Sequence, residues 1–346
     1  TRMERIRVGV IGAGTWGRLH ARVYAGDARV ELVAIADLDL ARAQAVAQEC
    51  NADRAYTSWE ALLEQSGIEA LSIATPDFAH TEIAIAAAEA GVNLLVEKPL
   101  ALTPGDCARV IEAARRAGVR LMVDFHNRWS PPFYQLKQAL DTGELGEPKS
   151  LDFRLNDTIY VPTKYLPWAG RSSVLWFLGS HVLDTLRWLL DDEVSHVYAV
   201  KGEGVLTGQG ITTADFYKYI LRFHKGAVAS VENNWILPEA ERNIFNLKFS
   251  LIGSKGSYYI NSSDAGVAEK YTTGPSCPDV LGDIVIHGRR IGFMSASITH
   301  FIDCLTEGRE PLVTGQDGLE ATRVIVAIEE SAETGMPLSL KDFGGV

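Results

Sequence analysis

Cysteine is scarce in this chain: four residues among 346, and Cys50, Cys107, Cys277 and Cys304 never fall into C-x-x-C spacing. That argues against a disulfide framework and a cysteine-based metal site, and it suits a reducing compartment. No metal is expected. Long apolar runs are missing as well, none approaching the roughly 18 residues of a membrane helix. No signal-peptide pattern precedes the first strand, so the expected location is cytoplasmic, with no membrane partner. Positive charge is also short: 33 Lys and Arg face 44 Asp and Glu, a formal charge of -11. Nucleic acid and anionic surfaces need clustered Lys and Arg, so no nucleic-acid partner is expected. There is no internal repeat.

What the chain does have is material for two cores, with 47% hydrophobic residues over 346 positions. The β-branched run Ile6–Ile11 leads into Gly12-Ala13-Gly14-Thr15-Trp16-Gly17, and then into a helical pattern with Trp16, Leu19 and Val23 on one face. Strand, G-x-G-x-x-G and helix in that order form a dinucleotide fingerprint. Gly12 permits the tight turn, Gly14 leaves the pyrophosphate unobstructed, and Gly17 lets helix and strand pack closely. The helix N-terminus at Thr15 and Trp16 offers N–H groups to phosphate. The next apolar run ends at Asp37, whose carboxylate suits the two adenosine ribose hydroxyls and repels a 2′-phosphate; Leu38 and Asp39 follow. NAD is therefore expected in preference to NADP.

Apolar strands and Ala-rich helices go on alternating, through Ala70–Thr75, Asn93–Val96 and Leu121–Phe125. The pattern is that of a parallel doubly wound sheet. Ligands bind such sheets beyond the carboxyl ends of the strands. Val96-Glu97-Lys98-Pro99 falls there, and Pro99 holds Lys98 in an extended or turn geometry. A lysine so placed can be held rigidly against a ligand.

Beyond Pro131–Thr142, a further helix, the runs alternate with period two, as in Phe216–Phe223, where Tyr217, Tyr219, Leu221 and Phe223 share one face. This is largely antiparallel sheet. Its other face is half apolar, so a second copy of the chain is expected to cover part of it, as a homodimer or homotetramer. Helices are expected at Leu175–Leu190, Ser295–Glu307 and Asp317–Thr334. The fold class is α/β: an N-terminal Rossmann domain over 1–125, and a C-terminal α+β domain over 126–346 for substrate binding and oligomerisation.

Hydride transfer from a hydroxyl-bearing carbon needs a group to take the hydroxyl proton. His181, just inside a helix with Asp184 three residues on, suits that work. His126, His196, His224, His287 and His300 have no comparable partner and read as structural or exposed. Asn127 stands beyond a strand end, able to bind nicotinamide or a sugar hydroxyl, and Arg128 reads equally as an interdomain ion-pair member. Asn156, Tyr160 and Trp168 lie in a Pro-rich stretch where covering a polyol ring and ordinary packing weigh equally.

The chain resembles the Gfo/Idh/MocA family, glucose–fructose oxidoreductase and inositol dehydrogenase among them, over nearly its whole length. The resemblance rests on Val8–Gly14, Ala74-Thr-Pro-Asp-Phe-Ala-His80, Glu97-Lys98-Pro99, Gly179-Ser-His181 with Asp184, and Val313–Gly318. It implies an NAD(P)-dependent dehydrogenase or reductase of sugars, cyclitols or their derivatives. It further implies Lys98 holding and polarising the reacting hydroxyl, His181 as principal acid/base, and Thr75, Pro76, His80, Glu97 and Asn127 along the nicotinamide half of the cofactor. A cis bond into Pro99 is implied too. One departure is Phe177, where many members carry Asp four residues before the histidine; this implies a substrate that differs from inositol at one ring position or is less polar there, or a His181 that works with Asp184 or Lys98 alone. Two competing readings are an NAD-dependent glycosidase working by transient oxidation and a non-catalytic nucleotide-sensing regulator.

Overall fold

The computed structural model describes residues 5–262, 268–272 and 275–343, so the start of the chain lies outside it. The chain forms two compact units, Thr1–Trp129 with Leu281–Leu319, and Ser130–Val280 with Glu320–Val346. The sequence reading expects one crossover near Phe125. The chain leaves the first unit close to that point, but Leu281–Leu319 returns to it. The return has a packing reason. Ile298, Phe301 and Ile302, on the helix Phe293–Glu307, are buried in one cluster with Val8, Val10, Leu19 and Tyr24. Helical periodicity reveals an apolar face and is silent about which core will take it.

In the first unit β1 (Ile6–Ile11), α1 (Thr15–Gly26), β2 (Val30–Ala36), α2 (Leu40–Cys50), β3 (Arg54–Tyr56), α3 (Trp59–Ser66), β4 (Ala70–Ile73), α4 (His80–Glu89), β5 (Asn93–Val96), α5 (Pro104–Ala117) and β6 (Leu121–Val123) alternate. The six strands are parallel, in the order β3-β2-β1-β4-β5-β6. Strands covered on both faces need apolar residues at every position, which is why these read as continuous runs. Helix starts follow from their caps. Ser58 Oγ accepts from Ala61 N at 3.2 Å, and Thr103 Oγ1 from Asp106 N at 3.0 Å with Pro104 as first helical residue. The direction of strand addition reverses between β1 and β4, which opens a crevice at their carboxyl ends.

The second unit holds α6 (Pro131–Asp141), β7 (Pro148–Asp157), α7 (Ser180–Leu190), β8 (Val194–Gly202), β9 (Phe216–Phe223), β10 (Val228–Asn234), β11 (Phe245–Gly253), β12 (Ser257–Asn261), and the short β13 (Lys270–Tyr271) and β14 (Pro275–Ser276). Next come β15 (Ile284–Ile286), β16 (Arg289–Ile291) and α8 (Phe293–Glu307) in the first unit, then α9 (Gly315–Thr334) and β17 (Leu338–Ser339). The large sheet runs β12-β11-β7-β10-β9-β8-β17, antiparallel except between β7 and β10. Tyr217, Tyr219, Leu221 and Phe223 form the buried face of β9, as the alternation requires.

Two local readings change. Leu175–Leu190 is expected as one helix; it begins as a π-helical turn, Leu175–Gly179, before α7. Gly179 sits where a Cβ would come within 2.7 Å of Leu175 Cδ1 and 3.1 Å of Asn233 Oδ1. The Pro-rich stretch around Tyr160 and Trp168 is helical in part, a π turn at Val161–Tyr165 and a 3-10 turn at Ala169–Arg171. Among the described residues no helix is long and apolar enough to cross a membrane.

Candidate active site

The glycine loop follows β1 directly. Gly12 has φ +93°, and a Cβ there would stand 2.3 Å from the Ala74 carbonyl oxygen. A Cβ on Gly17 would meet the Gly12 carbonyl oxygen at 1.6 Å, whereas one on Gly14 meets nothing within 4 Å. The loop therefore needs two of its glycines for its own shape, and the third leaves open space over the start of α1. No side chain caps that helix end, and no acidic residue stands in its first turn. Its N–H groups at Thr15 and Trp16 suit an anion.

Two buried polar atoms nearby, Trp16 Nε1 and Thr75 Oγ1, have no protein partner. Buried polar groups are rarely left unmet, so an outside partner is called for. Asp37, at the end of β2, accepts from Ala13 N at 2.7 Å through one oxygen. The other accepts from Asp39 N at 2.8 Å and from Arg42 at 3.0 Å. Open loop, uncapped helix and unmet polar atoms fit a bound dinucleotide. The basic residue five positions past Asp37 is one that sequence order alone does not tie to it.

Beyond β5 the Lys98–Pro99 bond is cis, and Lys98 is 7% exposed. His80 is wholly buried: Nδ1 lies 2.7 Å from the Pro99 carbonyl oxygen and Nε2 3.0 Å from that of Thr75. It ties the ends of β4 and β5 together and has no nitrogen to spare for a cofactor. Pro76 opens the 3-10 turn Asp77–Ala79. Asn127 is buried in the 3-10 turn His126–Trp129. Arg128 pairs with Asp317 at 2.8 Å, and both belong to the first unit, so this pair is not interdomain.

Glu97 faces inward. Its Oε1 lies 3.2 Å from His20 Nε2, and its Oε2 accepts from Lys98 N at 3.2 Å. His20 Nε2 is 3.5 Å from Asp124 Oδ2. Sequence reasoning passes over His20 and Asp124, although His20 lies three residues past Gly17, where the first helix must turn a side chain back toward the sheet. His126, read as structural, stacks on Trp16 of the glycine loop at 5.5 Å, and burial above all lowers its pKa.

In the second unit His181 is 7% exposed in the first turn of α7, and Asp184 is wholly buried. Phe177 does not stand alone. Its ring lies 6.3 Å from Trp168, edge to face, and 5.9 Å from Trp235, whose Nε1 donates to Asp157 at 3.3 Å. Trp168 thus joins the segment that leads into His181.

Asn156 does not. It shares a β7 face with Asp152 and Arg154, its Nδ2 donating to Glu232 at 2.6 Å. The π turn before α7 packs against Asn233, on the opposite face of the sheet. Strand alternation, unread at this position, places Asn156 away from His181. Tyr160 is 38% exposed, with Lys164 Nζ 5.8 Å from its ring centre, a surface pair.

The profile of an oxidoreductase family, described as an NAD-binding Rossmann fold and abbreviated GFO_IDH_MocA, matches residues 6–125. That of the GFO/IDH/MocA C-terminal domain matches residues 133–259. A D-apiose dehydrogenase of Paraburkholderia graminis is 28% identical over 99% of this chain and 92% of its own length. A myo-inositol 2-dehydrogenase of Thermotoga maritima is 27% identical over 98% of this chain and all of its own. A scyllo-inositol dehydrogenase of Lactobacillus casei, solved with NAD(H) and scyllo-inositol, superposes with a TM-score of 0.81 at 18% identity, over 98% of this chain and 100% of that one. At that identity the likeness concerns the fold.

Proposed function

We propose the following division of labour for a chain that belongs to the GFO/IDH/MocA oxidoreductase family: Lys98 and His181 act on a secondary hydroxyl while the glycine loop holds the dinucleotide. The protein is an NAD-dependent oxidoreductase acting on the CH–OH group of a sugar, cyclitol or derivative. Its full-length relatives are named as dehydrogenases, which leaves the glycosidase and regulator readings without support.

Bound NAD supplies the hydride acceptor. The chain's own residues do the rest. Gly14 and the start of α1 take the pyrophosphate, Asp37 the adenosine ribose, and Thr75 Oγ1 the nicotinamide half. Lys98 donates to the substrate oxygen and stabilises the charge that grows there as hydride leaves. His181 takes the hydroxyl proton. The reading rests on one observation above all: Lys98 is held almost wholly buried at a strand end, in the unit that carries the nucleotide loop.

Its test is a screen of polyols and sugars with NAD and NADP, read at the reduced-nicotinamide absorbance. Lys98→Met should lower kcat by about 100-fold or more, the scale set by losing charge stabilisation in the transition state, with NAD binding within about threefold. Full turnover in that variant overturns the assignment of Lys98.

The open face of the large sheet carries Tyr198, Val200, Ile220, Ile252 and Tyr259, all exposed. It also carries the charged group Arg154–Glu232–Lys218. We infer that a second copy of the chain covers it.

A further inference from the structure

We propose that His20 is a positioning residue: its imidazolium, buried between Glu97 and Asp124, holds the Glu97 carboxylate against the Lys98 amide and so fixes where the Lys98 side chain begins. The proposal rests on the role given to Lys98 above, and it assigns work to a cluster that the nucleotide and substrate do not account for.

The three groups come from separate elements of the first unit. His20 is on α1, Glu97 follows β5, and Asp124 follows β6. Their exposures are 0%, 4% and 2%, so water does not screen them. Each polar atom has its place. His20 Nδ1 lies 2.9 Å from Ser72 Oγ on β4, which meets Tyr24 Oη at 2.6 Å. His20 Nε2 faces Glu97 Oε1 at 3.2 Å and Asp124 Oδ2 at 3.5 Å. Glu97 Oε2 accepts the Lys98 N–H at 3.2 Å. Ser297 on α8 donates to the other oxygen of Asp124.

A neutral His20 would leave two buried carboxylates with no cation between them, an arrangement far costlier than the charged ring. Burial pulls the ring's pKa down. Hydrogen bonds to Asp124 and Glu97 outweigh burial and hold it up to about 9. The ring is therefore an imidazolium at neutral pH, donating through Nε2. With Glu97 gripped on one oxygen by that charge, its second oxygen is fixed as acceptor for the Lys98 amide. A peptide held at this point sets the origin of the Lys98 side chain. A misplacement of about 1 Å in a reacting group costs on the order of 100-fold in rate.

The test is a kinetic cycle on the full chain, with amide exchange as a readout independent of turnover. In His20→Gln and Glu97→Gln, kcat should fall by about 10- to 100-fold with KM for NAD within about threefold. The double variant should be no worse than the poorer single variant by more than about threefold, because both changes release the same clamp. Hydrogen exchange at the Lys98 amide should quicken by about tenfold or more in each variant. Should His20→Gln not fold, Glu97→Gln reads the same amide.

Losses that multiply in the double variant, unchanged exchange at Lys98, or a neutral His20 ring by 15N NMR of the wild type at pH 7.5 each overturn the clamp. So does a metal ion bound in equal amount with the protein, since the three side chains bring ligand atoms within 4.8 Å of one another. If the wild type turns over no polyol or sugar, the oxidoreductase assignment fails, and exchange and ring protonation still decide the clamp.

Discussion

Gly14 and Gly17 sit three residues apart and answer to different demands. Gly17 serves the fold, because a Cβ there strikes the Gly12 carbonyl oxygen. Gly17→Ala should lower the unfolding free energy by about 2 kcal/mol or more, the range of overpacked cores, as read by urea denaturation. Gly14 serves the ligand. Gly14→Ala should leave stability within about 0.5 kcal/mol, yet weaken NAD about tenfold or more by calorimetry, because its methyl intrudes on the phosphates. Equal effects in the two variants would contradict this division. Asp37 governs the choice of cofactor in the same local way. With Arg42 already 3.0 Å away, Asp37→Ser should expose that guanidinium to a 2′-phosphate and shift the NADP-to-NAD ratio of kcat/KM upward by about tenfold or more.

At the scale of elements, the His20 cluster joins α1, β4, β5, β6 and α8 by charge as well as by packing. The folded-state pKa of His20, about 9, stands above the 6.5 of the free ring. Its contribution to stability is then complete below pH 6.5 and is lost as pH rises through about 9. A shift of that size corresponds to about 3 kcal/mol in this wholly buried group. Urea unfolding of the wild type should weaken between pH 6.5 and 9.5, and His20→Gln should lack that slope. Element positions themselves were largely legible in sequence. Apolar runs located β1, β2, β4 and β5, closed by Gly12, Asp37, Pro76 and Pro99 in turn, and Thr103-Pro104 marked the start of α5. Others were not, the short β13 to β17 among them. β3 is three residues long and carries no period, and the π turn before α7 depends on how Gly179 meets Asn233, a contact from a distant strand.

For the whole molecule, the exposed apolar face of the large sheet predicts self-association. Size-exclusion with light scattering should give a dimer or tetramer, and Ile220→Asp, at an outward position 49% exposed, should shift it toward monomer without loss of fold. A wild type that is monomeric at micromolar concentration removes the proposal.

By itself the sequence determined the dinucleotide loop, the acidic residue after β2, the lysine at the end of β5 and the two kinds of sheet. Each of these is written in neighbouring residues, where spacing and backbone chemistry act. Tertiary structure alone decided that Leu281–Leu319 rejoins the first unit, that Asn156 faces away from the helix of His181, and that His20 lies between Glu97 and Asp124. Those facts depend on which distant surfaces bury one another, and burial is a property of the packed chain that no local period encodes.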